Sequence, residues 1–204
     1  MSATPPFGSS AGSRALVDRV KGILLRPQQE WVVIEAEPAT VKSIYQYVMI
    51  IAAIPAVCTA LRWSMVGDVR LGGVWAIRFA ITSYIGSLIS VYLLALIIDA
   101  LAPKFGGQKG QIAALKVTAY SSTAAWLAGV FNLLPLLGIL ALAGVFYSLY
   151  LLFLGLPVLM KAPADKAMTY TVVAIVAAVI VFAVIGALVG QLSGFGAVLS
   201  GYGR

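Results

Sequence analysis

Histidine is absent from this chain of 204 residues, cysteine occurs once, at Cys58, and charged side chains make up only 10% of it. The first absence removes the commonest general base, proton shuttle and transition-metal ligand. The second excludes an intrachain disulfide and a thiolate cluster. Cys58 lies inside an apolar run and reads as a packed, inert thiol. Charge is also missing in long blocks, with none between Lys116 and Lys161 and none between Lys166 and Arg204. An ionised group in hydrocarbon is costly and about 20 apolar residues cross a bilayer, so runs of this length read as membrane-spanning helices.

What is present agrees with that reading. Hydrophobic residues make up 61% of the chain and its mean hydropathy is +1.00, outside the range of an ordinary soluble domain. The net charge of +7 resides at the ends of apolar runs, not in one patch with interleaved aromatics. That distribution speaks for topology and anionic lipid headgroups and against nucleic acid.

Residues 1–12, rich in Ser, Ala, Gly and Pro, are expected to form a disordered tail. Residues 13–42 form the next unit, of cytoplasmic amphipathic helices. Over 13–26 Leu16, Val17, Val20, Ile23 and Leu24 share one helical face, and Arg14, Asp18, Arg19, Lys21 and Arg26 share the other. Such a helix can lie flat at the interface, with Arg19, Lys21 and Arg26 toward anionic headgroups and Trp31 as an anchor. The alternative is docking on the protein's own loops. Pro27 suits the first turn of a second short helix that runs to Ala36, and Pro38 ends it.

Residues 43–191 are expected to hold five spans, at 43–61, 74–101, 113–132, 135–160 and 168–191, followed by a Gly-rich tail at 192–204. The third and fourth form a hairpin punctuated by Asn132, Pro135 and Gly138, while Pro55 and Pro157 fall inside helices. Five spans put the termini on opposite sides. One side would hold Arg14, Arg19, Lys21, Arg26, Lys42, Lys104, Lys109, Lys116, Lys161 and Lys166, and the other Arg62, Arg70, Arg78 and Arg204. Ten against four places the N-terminus in the cytoplasm and the C-terminus outside it, across an inner membrane. Small residues offer close helix contacts at Ser83 with Ser87, Gly86 with Ser90, and Gly186 with Gly190, either within the chain or, at the last pair, between two copies.

Arg78 and Asp99 share the second span but stand 21 residues apart, roughly 31 Å at ~1.5 Å per residue, so each sits near an interface. The middles of the other spans carry no ionisable Asp, Glu, Lys or Arg, which argues against a proton-driven pump. Neutral polar residues remain, and Tyr84, Ser87, Tyr120 and Ser121 are the candidate intramembrane cluster, joined by Ser90, Ser122, Thr123, Tyr147, Ser148 and Tyr150. They either tie helix to helix or line a path for a polar substrate. Neither a phosphate loop nor a nucleophile arrangement is present, so neither an enzyme nor a cofactor is expected. The most distinctive exposed stretch is APKFGGQKGQ at 102–111. There Lys104, Phe105, Gly106, Gly107 and Lys109 are candidate contacts for a partner or a headgroup, with Asp99 and Lys116 expected to pair beside them.

The segments RVKGILLRPQQEW (19–31), LAPKFGGQKG (101–110), LKVTAYSSTAAWLAGVFNLLP (115–135) and YLLFLGLPVLMKAPADKA (150–167) resemble bacterial members of the Yip family, whose eukaryotic relatives interact with Rab-type GTPases. The resemblance runs from about Arg19 to Gly190 and rests on the ordered set of segments. It implies five transmembrane helices behind a cytoplasmic N-terminal region. Tyr120 and Ser121 match the Tyr-Ser of a Gly-Tyr-Ser motif in the family's third span, where this chain has Ala119 in place of Gly. Trp31 with Glu30, Glu35 and Glu37 corresponds loosely to the family's aromatic acidic motif.

The expectation is therefore an all-α polytopic membrane protein with five transmembrane helices and an N-terminal amphipathic helix. It would act without catalysis as an adapter or membrane organiser, or alternatively as a facilitator for a small or lipid-like molecule. Its partners would be the lipid bilayer and a membrane protein or a second copy of itself.

Overall fold

The computed structural model describes residues 10–65 and 69–193, which are helical with no strand among them. Residues 1–9 and 194–204, which make up most of the two expected tails, lie outside the described residues, as do the side chains of Arg14, Arg70 and Arg204. The helices are α1 (Ser10–Leu25), α2 (Pro27–Ala36), α3 (Val41–Met65), α4 (Val69–Leu101), α5 (Gln111–Ser121), α6 (Thr123–Ala128), α7 (Gly138–Met160) and α8 (Ala164–Ser193). Among the described residues four segments are long and apolar enough to cross a membrane: Val41–Arg62, Ala76–Phe105, Gly138–Met160 and Ala164–Ser193. They coincide with the expected first, second, fourth and fifth spans.

The expected third span is not one helix. It is divided into α5, α6 and a 3₁₀ turn, Gly129–Leu133. The cause lies in its hydroxyls. The side chains of Ser121 and Ser122 and the Ser122 amide all donate to the Thr118 carbonyl, at 3.1, 2.9 and 3.3 Å. Such back-bonding competes with the helical ladder and bends it. Past the break, the Ala125 amide donates to Ser148 Oγ on α7 at 2.8 Å. The divided segment nevertheless runs the length of α3. Lys116 lies beside Ile34 and Glu37, just ahead of α3, and the Asn132 carbonyl accepts from Arg62 at the far end, 3.3 Å away.

α4 packs between α3 and α8, and α5 fills the space between α3, α4 and α7. The antiparallel pair α4 and α8 is tied at both ends, by Tyr170 donating to the Ile98 carbonyl (2.6 Å) and Arg78 donating to the Leu192 carbonyl (3.2 Å). Close approach depends on Gly144, where a Cβ would lie 2.2 Å from that of Ala128, and on Gly129, where it would lie 2.6 Å from Pro55. Gly86 likewise meets Ile185 and Val189, whereas Gly186 and Gly190 have nothing within 4 Å among the described residues. Among the described residues nothing therefore requires glycine at the last two positions.

Among the described residues the two ends of the bundle differ in the number of basic side chains. α1, α2, residues 102–111 and the α7–α8 connection gather at one end with Arg19, Lys21, Arg26, Lys42, Lys104, Lys109, Lys116, Lys161 and Lys166. Arg62 and Arg78 stand at the other.

Candidate functional site

α1 and α2 fold back on each other and onto the bundle, so they are not a free interfacial element. The α1 face carrying Leu16, Val20, Ile23 and Leu24 turns to the protein, with Ile23 fully buried. Pro27 opens α2 with the φ a first helical turn requires, and Trp31 and Ile34 on its next turns are buried. Trp31, expected as an interfacial anchor, instead packs flat on Gly155 of α7, where a Cβ would lie 2.5 Å from the indole. Among the described residues its Nε1 has no hydrogen-bond partner. Tyr147 donates to the Leu24 carbonyl (2.7 Å) and Lys161 pairs with Glu35 (3.2 Å), so α2 runs alongside the second half of α7.

Arg19 also departs from the expected outward face. Its guanidinium bridges Glu30 and Glu37 and lies 5.7 Å from the centre of the Tyr120 ring. Burial alone would push Arg19 down. The hydrogen bond and charge of Glu37, with Tyr120 and Glu30, outweigh it and hold the group above its ordinary value. Behind Arg19, Tyr120 packs on Tyr47 at 4.8 Å, and the Tyr47 hydroxyl shares a 2.7 Å hydrogen bond with Thr123. A continuous polar seam thus leads from α1 to the break between α5 and α6. Lys21 and Arg26 remain exposed.

Among the described residues Asp99 and Lys116 form no ion pair, contrary to expectation. Lys116 Nζ donates to the Ile34 carbonyl at 2.6 Å and to that of Glu37, closing the C-terminal end of α2. A cation suits that position because the last carbonyls of a helix lack partners and carry its negative end. Asp99 Oδ1 accepts from the Gly110 amide at 2.7 Å and fixes the start of α5. Each charge is met by backbone dipoles, so neither needs the other.

The 102–111 loop separates into two groups of residues. Phe105 stacks on Tyr170 with ring centres 5.3 Å apart. Gly106 adopts φ 72° over Pro163, and Gly107 donates to the Ala102 carbonyl (2.9 Å) where a Cβ would lie 2.9 Å from the Met160 oxygen. These three build the turn. Lys104 and Lys109 are exposed. Beneath the loop is a 300 Å³ cavity whose lining includes Lys109, Lys116, Lys161 and Glu35, with Ile112 and Leu159 as its floor. Lys161 and Glu35 join this loop only through folding, and nothing local to either residue in the sequence signals the connection.

The candidate neutral cluster is not one cluster. The Tyr84 hydroxyl reaches the Met49 carbonyl (3.1 Å), Ser121 bonds within its own helix, Tyr120 faces Arg19, and Ser87 lines a separate 530 Å³ cavity between α4, α6, α7 and α8. Ser83, Ser87, Ser90 and Ser122 on that cavity's wall donate to carbonyls of their own helices, at 3.0, 2.7, 2.8 and 2.9 Å. With those four donors spent and most of the remaining lining apolar, the wall suits alkyl chains more than polar solutes. Among the described residues no group of three or more His, Cys, Asp or Glu side chains could hold a metal.

A model of the Yip1 domain matches residues 21–186. Two curated relatives, each described as inner membrane protein YohC, from Escherichia coli K12 and E. coli O6:H1, are 27% identical over 192 residues, covering 88% of this chain and 98% of the relative. No solved structure matches the chain.

Proposed function

The chain belongs to the Yip1 domain family, and on that premise we propose that it is a non-catalytic adapter or organiser of an inner membrane, crossing it five times with its N-terminus in the cytoplasm. The uneven distribution of basic side chains carries the proposal. The end formed by α1, α2 and residues 102–111 holds the described lysines, while the opposite end holds Arg62 and Arg78. Basic residues accumulate on the cytoplasmic side of membrane proteins. The fifth crossing is the divided segment α5 to Leu133, which meets the end of α2 just ahead of α3 at one end and Arg62 of α3 at the other. A surface built this way offers exposed Lys104 and Lys109, held by a rigid turn, to a protein partner or to headgroups.

Extraction of native membrane into lipid nanodiscs, followed by mass spectrometry of copurifying species, tests the adapter role. A stoichiometric membrane protein that is lost when Lys104 and Lys109 are both changed to Ala is the expected result. Recovery of the chain with lipid alone would favour the second reading, a facilitator for a lipid-like molecule, which the 530 Å³ apolar cavity supports. Liposome flux of a lipid-like molecule that disappears when Ser87→Phe fills that cavity would then establish it.

A further inference from the structure

Cations from three elements converge on the 300 Å³ cavity under the 102–111 loop: Lys109 from the loop, Lys116 from α5 and Lys161 from the end of α7. Lys161 is held in an unusual way. It adopts φ 49°, the left-handed region that favours glycine, and is the one non-glycine residue to do so among the described residues. The position terminates α7, where glycine or asparagine is customary. A lysine kept there against its backbone preference carries its ammonium to Glu35 and to the cavity. Lys116 spends two of its three N–H donors on carbonyls and keeps one. α5 opens at the cavity's edge from Gly110, whose amide already donates to Asp99, so the helix end and that carboxylate offset each other.

Two carboxylates stand nearby, but both are engaged. Glu35 pairs with Lys161, and Asp99 accepts from the Gly110 amide. The lining therefore carries three lysines against one glutamate. Its floor is apolar, formed by Ile112, Ala113 and Leu159. A volume at the lower limit of ligand pockets (~300–1,000 Å³) cannot enclose a whole lipid but accommodates a phosphodiester and its glycerol.

We propose that this cavity binds the phosphate of an anionic phospholipid, whose acyl chains leave over Ile112 and Leu159; the proposal rests on the cytoplasmic placement of this end. The combination of cationic walls and an apolar floor matches the junction of headgroup and chain. A free anion would gain nothing from the floor. Basic pockets between membrane helices on the cytoplasmic side are the setting in which such headgroups are held.

Native mass spectrometry of the full chain in mild detergent provides the test, with phosphatidylglycerol, phosphatidylcholine and inorganic phosphate as probes. One phosphatidylglycerol per chain should be retained in preference to phosphatidylcholine, about tenfold or more weakly in the Lys109→Ala, Lys161→Ala double variant. Lys42→Ala, which removes one charge outside the cavity as Lys161→Gly does within it, should retain lipid as the parent does. Lys161→Gly relieves the left-handed strain, so it should lose lipid without a lower melting temperature, which separates binding from folding. Equal loss in Lys42→Ala, unchanged retention in the double variant, or displacement of the lipid by inorganic phosphate at equal concentration would each overturn the proposal. Failure of the cytoplasmic placement is seen separately: labelling of Lys109→Cys from outside the cell overturns the placement while leaving retention in detergent as measured.

Discussion

Lys116 is the most informative single side chain because its chemistry and its neighbourhood pull in different directions. An ammonium at 6% exposure is costly to desolvate, and the nearest remedy in sequence, Asp99, is not the one it uses. Carbonyls of Ile34 and Glu37 take its protons, so Lys116→Met would leave helix-terminal oxygens without a donor. A loss of about 2–4 kcal/mol is expected, since each buried polar atom left unpaired costs ~1–3 kcal/mol. Asp99→Asn keeps an oxygen for the Gly110 amide and should cost less than about 1 kcal/mol. Because the two side chains serve different backbone groups, the double variant should sum the single effects in chemical denaturation. A coupling well above 0.5 kcal/mol, beyond what independent sites show, would contradict the geometry.

At the scale of elements, the α1–α2 hairpin shows what a sequence pattern can and cannot reveal. The stripe of Leu16, Val20, Ile23 and Leu24 marks one apolar face, but an apolar stripe looks the same whether lipid or protein covers it. The answer lay in distant residues: Gly155, whose missing side chain admits Trp31, and Glu30 and Glu37, which neutralise Arg19. Gly155→Ala should accordingly force α2 away from α7. Overpacking of this kind costs about 1–3 kcal/mol, and limited proteolysis after Arg26 should become faster while the rest of the chain stays resistant. Undisturbed protection of that bond would mean that the Trp31 contact does not hold the hairpin. The same limit explains the third span. Long charge-free runs revealed α3, α4, α7 and α8 because hydrocarbon tolerates nothing else. The break at Ser122 depends on which carbonyl its hydroxyl chooses and on Ser148 from another helix. The candidate site was half legible for a similar reason: Lys109 stood out in a polar loop, but Lys161 and Glu35 join it only through folding.

For the whole molecule, the number of crossings turns on the divided segment, and its dimensions can be estimated. α5 and α6 contribute 11 and 6 residues and the following turn contributes 5. At ~1.5 Å per α-helical residue and ~2.0 Å per 3₁₀ residue these give roughly 35 Å, against about 30 Å for the hydrocarbon core. The segment is therefore long enough to cross although no single helix in it is. Its contacts with the end of α2, just ahead of α3, and with Arg62 near the other end of α3 set its direction, from the lysine-rich end toward Arg62. With buried Cys58 changed to Ala, single cysteines can replace exposed Lys109 and exposed Leu134, which flank the segment. A membrane-impermeant maleimide added to intact spheroplasts should label the cysteine at 134 and reach the one at 109 only after permeabilisation. Labelling of both from the same side would leave an even number of crossings and bring the two termini to one face, because a segment that enters and leaves by one surface cannot separate its own ends.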